Sequence, residues 1–184
     1  MYKFKEYRQN LCERVLSIGL KPEHEKYREQ HRQQIHDLIQ SSYKDAGGYG
    51  GLSSGSKEES NAIHNDISSS AIKAVRRDGK ITAAVLYKKQ HGRKAIASGT
   101  DGSQQGKTDW KKIKSEDIGK KRAWMEVSGK PEHMMKKMGA PEIPVGDVPS
   151  LIDKKIEPAD GNYYTRTIGG QKHRKIAMGF PKKT

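Results

Sequence analysis

The chain has 184 residues, a formal net charge of +14, and 32% hydrophobic and 7% aromatic residues. That length is enough for one domain with a real core, and no apolar run approaches the ~20 residues a membrane span requires. Cys12 is the only cysteine, which excludes an internal disulfide and a cysteine-rich zinc site. The start, MYKFKEYRQN, is charged throughout and has no secretory pattern, so an intracellular protein is expected. Charge is uneven. Residues 1–60 carry 10 Lys and Arg against 9 Asp and Glu, whereas residues 61–184 carry 26 against 13. Such a field attracts polyanions: nucleic acid, phosphorylated cofactors or acidic protein. The low aromatic content disfavours a stacking platform for single strands.

In chain order, residues 1–18 place Phe4, Tyr7, Leu11, Val15 and Ile18 on one helical face and predict a short amphipathic helix. A second helix is marked by Pro22 in its first turn and by a stripe of Tyr27, His31, Ile35, Leu38 and Ile39. His31 and His36 are five apart, share no helical face, and are expected at the surface. Residues 45–60, DAGGYGGLSSGSKEES, are too rich in glycine and serine for regular structure and predict a mobile loop. Three strands follow, roughly 70–77, 80–89 and 93–100, in an antiparallel meander. Asp78-Gly79 is the stronger of its two turn signals, and His91-Gly92 the weaker.

GTDGSQQGKT, residues 99–108, has the look of a phosphate loop. A strict nucleoside triphosphate loop needs a glycine five residues before Gly106, and that position is Asp101. A helix is predicted from near Asp109 to Gly119. Residues 122–129 read as a buried strand, and residues 131–139 as a short helix with Pro131 in its first turn and Gly139 at its end. Met134, Met135 and Met138 are expected to pack that helix onto the sheet. A Pro-rich connection, residues 140–150, leads to a closing hairpin of NYYTRTIGG against HRKIAMGF.

This order resembles the GNAT superfamily of N-acetyltransferases over roughly residues 27–180. Two stretches carry the resemblance: Gln105-Gly106-Lys107, which fits the Arg/Gln-Gly-x opening of the family's pyrophosphate loop, and RAWMEVSGKPEHMMKKMGA, which is similar to its fifth strand and short helix. The resemblance implies a mixed α/β (α+β) fold with a mostly antiparallel central sheet flanked by helices. An N-terminal amphipathic segment over 1–20 and a single GNAT-like domain over 21–184, with the Gly/Ser-rich loop at 45–60, are expected. The resemblance also implies acetyl-CoA as cofactor, its pyrophosphate held at a helix start by Ser103, Gln104, Gln105, Gly106, Lys107 and Thr108. The sequence departs from the family at several points. Thr108 and Trp110 stand where small motif residues belong and are expected to crowd a phosphate. Met135 stands where many members carry a tyrosine acid, and Ala140 replaces an aromatic residue. Asp101 and Glu126 are the candidate bases, and Tyr164, with Tyr163, the candidate proton donor. No histidine spacing suggests a metal.

The first residues, with Phe4, Glu6 and Tyr7, resemble the starts of proteins packaged in the heads of T-even-like tailed phages. Together with the basic balance, this leads to the expectation of a virion protein in the particle or the host cytoplasm. Its partners would be other assembly proteins and DNA, with no membrane. Candidate phosphate contacts are Arg76, Arg77, Lys88, Lys89, Arg93, Lys94, Lys172, Arg174 and Lys175, with Lys182 and Lys183 in the tail. An active acetyltransferase is the alternative.

Overall fold

The computed structural model describes residues 14–89, 93–116, 123–147, 157–168 and 170–180. Strand β1 (Arg14–Ile18) is followed by a 3-10 turn at Pro22–His24 and helix α1 (Glu25–Tyr43). Then come α2 (Lys57–Ser69), β2 (Ala71–Arg77), β3 (Lys80–Lys89), β4 (Arg93–Thr100) and α3 (Gln104–Glu116). The chain continues through β5 (Ala123–Val127), α4 (Lys130–Lys137), β6 (Glu142–Ile143), β7 (Glu157–Pro158), β8 (Tyr163–Ile168) and β9 (Gln171–Gly179). The strands form one sheet in the order β1-β2-β3-β4-β5-β9-β8-β7, with β6 also paired to β9. The β4–β5 pair is parallel, and the pairs β1–β2, β5–β9, β6–β9, β7–β8 and β8–β9 are antiparallel. Asp78 (φ 47°) and Gly79 (φ 82°) make the type I′ turn that joins β2 to β3. The expected meander, the mixed and largely antiparallel sheet, and the flanking helices are therefore present.

The chain divides into two compact units, Met1–Leu86 with Ala97–Ile113, and Tyr87–Ile96 with Lys114–Thr184. In the first, α1 buries Ile35, Leu38 and Ile39, and α2 buries Ile63 and Ile67. Gly99 on β4 lies so close under α1 that a Cβ there would stand 2.6 Å from both the Leu38 carbonyl oxygen and its side chain. Ser42 completes the join: its hydroxyl donates to the Leu38 carbonyl at 2.8 Å and accepts from the Thr100 amide at 3.0 Å. In the second unit Trp124, Tyr164 and Ala177 form a core cluster, with Ile143 and Val145 packed against it. Met135 of α4 is fully buried, while Met134 and Met138 are half-buried.

Several expectations fail for physical reasons. Residues 14–18 are a strand, not helix, because Arg14 to Ile18 pair in register with Arg76 to Ile72 of β2; residues 1–13 lie outside the described part. Tyr27 is exposed, whereas His31 and His36 are buried, because α1 is covered on more than one side. His36 stacks on His64 of α2 with ring centroids 4.3 Å apart, and its Nε2 meets the Ser60 hydroxyl at 3.0 Å. Burial, then the neighbouring Arg76 charge, lowers the His31 pKa.

The glycine-serine stretch is anchored rather than loose, and α2 begins inside it. Ser56 caps α2 by accepting from the Glu59 amide. The buried Glu59 carboxylate accepts from the backbone amides of Tyr49 and Gly55, each at 2.7 Å, and from Gln40 at 3.1 Å. Tyr49 also donates its hydroxyl to Asp66 at 2.5 Å.

Candidate functional site

In the first unit the phosphate-like segment begins a helix five residues earlier than expected. Ser103 sits at the cap: its hydroxyl accepts from the Gly106 amide at 2.9 Å, and its carbonyl accepts from the Lys107 amide at 3.1 Å. Gln105, Gly106, Lys107 and Thr108 therefore lie within the first turns of α3, not on a free loop; Gly119 is outside the described residues. Asp101 bends over this start. Its Oδ1 accepts from the Ser103 amide at 3.0 Å and from the Ser103 hydroxyl at 2.6 Å. Gly106 leaves just enough room, since a Cβ there would come within 2.1 Å of Asp101 Oδ1 and 2.9 Å of the Thr82 carbonyl oxygen.

Trp110 is buried in the core, and the Thr108 hydroxyl turns back to the Gln104 carbonyl at 3.0 Å. The group against the helix start is the Asp101 carboxylate. One turn further on, the fully buried Asp109 accepts from Arg77 through two nitrogens, at 2.8 and 2.7 Å. It also accepts from the Thr82 hydroxyl at 2.7 Å and from Gln105 at 3.0 Å. Burial alone would raise the Asp109 pKa, but the bonds from Arg77, Thr82 and Gln105 outweigh it and hold the carboxyl below its usual range. Arg77 is thus held by a carboxylate, and Asp109, which no sequence pattern singles out, ties together β2, β3 and α3.

In the second unit Glu126 of β5 is clasped by Lys94 of β4 and Arg166 of β8. Burial would raise its pKa, and the two cations outweigh that and lower it. The ammonium of Lys94 also lies 4.8 Å from the centre of the Trp124 ring. Tyr164 is fully buried, and burial, then the Glu126 charge, pushes its hydroxyl pKa up. Tyr163 donates to Glu132, accepts from Lys136 at 2.9 Å, and carries the Arg174 guanidinium 3.9 Å from its ring centre. Lys175 donates to the Ser128 hydroxyl at 3.1 Å, and burial lowers its pKa.

The remaining basic candidates are scattered. Arg76 and Lys88 are half-buried, Lys172 and Arg174 are exposed, and the side chains of Lys89 and Arg93, with Lys182 and Lys183, lie outside the described part. Lys172, Arg174 and Lys175 all lie on β9, Lys172 and Arg174 on one face and Lys175 on the other, where Arg166 of β8, a residue that sequence reasoning passed over, stands opposite His173. The signal for Arg166 was the basic run of residues 172–175 facing YYTRTI in the predicted hairpin. Among the described residues, no group of three or more His, Cys, Asp or Glu is placed to hold a metal ion, and no helix is long and apolar enough to cross a membrane.

No family model matches the sequence, and no curated protein matches it either. Among solved structures it is similar to a crystal structure from Desulfovibrio desulfuricans assigned to the GNAT family of acetyltransferases. The identity is 10%, the TM-score 0.49, and the match covers 92% of this chain and 99% of that one. A likeness that loose says nothing about chemistry.

Proposed function

We propose that the protein is a GNAT-like scaffold that has given up acetyl transfer and serves as a basic, DNA-associated component of a phage particle. One observation carries the first half: Asp101 Oδ1 takes the Ser103 amide and hydroxyl and rests against Gly106, where a pyrophosphate would have to sit. A carboxylate there fills the cradle with the wrong charge. Two like charges about 4 Å apart repel by roughly 1 kcal/mol in water and about 4 kcal/mol near a protein surface. The residues present therefore do not fit coenzyme A at this helix start.

The other candidates support the same reading. Glu126 is neutralised by two cations and its pKa is lowered, which makes it a weak base. Tyr164 has a raised pKa, which makes it a weak acid. Met135 is buried and has no proton to give. The second half of the proposal rests on the +14 charge, its concentration in residues 61–184, and the phage-like first residues. Thiol release from acetyl-CoA, followed with free lysine and a polyamine as acceptors, tests the loss of activity. The expected result is no release above buffer, and sustained turnover would sink the proposal. Mass spectrometry of purified particles tests the virion role: the chain should be present, and its absence would refute that role.

A further inference from the structure

We infer that Ser128 and Lys175 form a serine–lysine pair that takes acyl groups from small activated esters, an activity separate from the coenzyme A and DNA readings above. The Lys175 ammonium donates to the Ser128 hydroxyl oxygen at 3.1 Å. Both residues are half-buried, so the pair is partly withdrawn from water and retains some exposure. A hydroxyl bonded to an amine is the arrangement in which a serine becomes a nucleophile and a lysine its base.

The backbone brings the two residues together. β5 runs antiparallel to β9 with Val127 opposite Ile176, so Ser128, the next residue, comes level with Lys175. Gly129 then turns the chain at φ 61° and ψ −131°, a conformation that favours glycine, and α4 begins at Lys130. A serine on a sharp strand-to-helix turn is the setting in which hydrolases present a nucleophilic hydroxyl. The start of α4 carries no side-chain cap. The positive end of its dipole therefore lies next to this turn, where it favours a developing negative charge.

A lysine serves as a base only when neutral. Lys175 stands opposite Tyr164 of β8, with His173 two residues along its own strand. The charges that act on it are Glu126 of β5, itself clasped by Lys94 and Arg166, and Arg166 of β8. Burial lowers the Lys175 pKa; Glu126 opposes this, Arg166 adds to it, and the net shift is downward. The pair therefore reaches its working form, neutral amine and hydroxyl, at a lower pH than an ordinary lysine allows. In that form the Ser128 Oγ attacks the acyl carbonyl and gives its proton to the Lys175 Nζ. The bond from the carbonyl carbon to the leaving oxygen breaks, the alcohol departs with the proton held by Lys175, and Ser128 is left acylated. Water then attacks this ester, again losing a proton to Lys175, and the acid departs as that proton returns to Ser128.

The test uses the full chain and a fluorophosphonate, which phosphonylates an activated serine and expels fluoride, with peptide mass spectrometry to locate the label. Label is expected at Ser128, forming at a rate that rises with pH through a midpoint below the ordinary lysine value of about 10.4. Lys175→Arg keeps the charge but cannot deprotonate, and Lys175→Met removes the amine. Each should slow labelling by roughly 100-fold or more. Ser128→Ala should lose both the label and the turnover of p-nitrophenyl acetate. Unfolding midpoints of the three variants show that the fold persists. An unlabelled Ser128 at alkaline pH, labelling as fast in Lys175→Arg as in the wild type, or ester turnover that survives Ser128→Ala would each refute the pair. The probe resembles neither coenzyme A nor nucleic acid, so such a failure leaves the proposed function standing.

Discussion

Asp109 shows how one buried carboxylate can hold three elements. It lies on α3, takes both arms of the Arg77 fork from β2, and takes the Thr82 hydroxyl from β3. The Arg77 side chain keeps 29% of its exposure, so removing the buried carboxylate costs chiefly the charge-assisted hydrogen bonds it accepts, about 2 kcal/mol. Asp109→Asn should therefore lower stability at neutral pH by about that amount. Folding depresses this carboxyl's pKa. Its contribution is present above the unfolded value of about 3.9 and is lost as pH falls through the folded value. Urea unfolding at neutral and at strongly acidic pH checks this. The gap between wild type and variant should close in acid, and a gap independent of pH would contradict the argument. Nothing in the sequence marks Asp109 over its neighbours, since its partners lie 27 and 32 residues away. Asp101 was legible as an oddity, because it breaks the phosphate-loop pattern. That its side chain folds back over Gly106 depends on a local turn that the pattern does not contain.

At the scale of elements, Gly99 sets how closely α1 can approach β4. A methyl group at position 99 would collide with the Leu38 backbone and side chain at 2.6 Å. Backbone cannot yield as a side-chain tip can, so Gly99→Ala should cost about 2 kcal/mol or more. Gly146→Ala, where nothing lies within 4 Å, should stay within about 0.5 kcal/mol. Thermal unfolding of the two variants reads the difference directly, and equal midpoints would refute the close approach.

The elements best read from sequence were those set by local chemistry: the Asp78-Gly79 turn, the apolar face of α1, Pro131 and Gly139 around α4, and the closing hairpin. Those misread depend on distant partners. Val15, Leu16 and Ile18 suit either a helix face or a strand, and pairing with β2 decides. α2 escaped notice because its apolar stripe is thin, with Ile63 and Ile67 as its buried aliphatic residues, and because it starts in a run of serine and glycine. Glu59 anchors that run, and its role emerges only once Tyr49 and Gly55 have folded around it.

Across the whole molecule, carboxylates recur in places that suit an anion. Asp101 lies on the start of α3, Glu59 among the amides of the glycine-rich turn, and Glu126 between two cations. Each of these carboxylates has its hydrogen-bonding or charged partners within the chain. The net charge of +14 gives the chain a positive field. The architecture was legible from the order of the elements, but whether the cradle stands open or filled was not. Isothermal titration of the intact protein with acetyl-CoA, at low and at physiological salt, decides that point. With Asp101 on the helix start, the expected result is no binding at physiological salt, and at low salt only weak binding that added salt abolishes. Micromolar binding that survives physiological salt and is lost in Gly106→Trp would contradict it, because Asp101 would then have to leave the helix start to admit the cofactor.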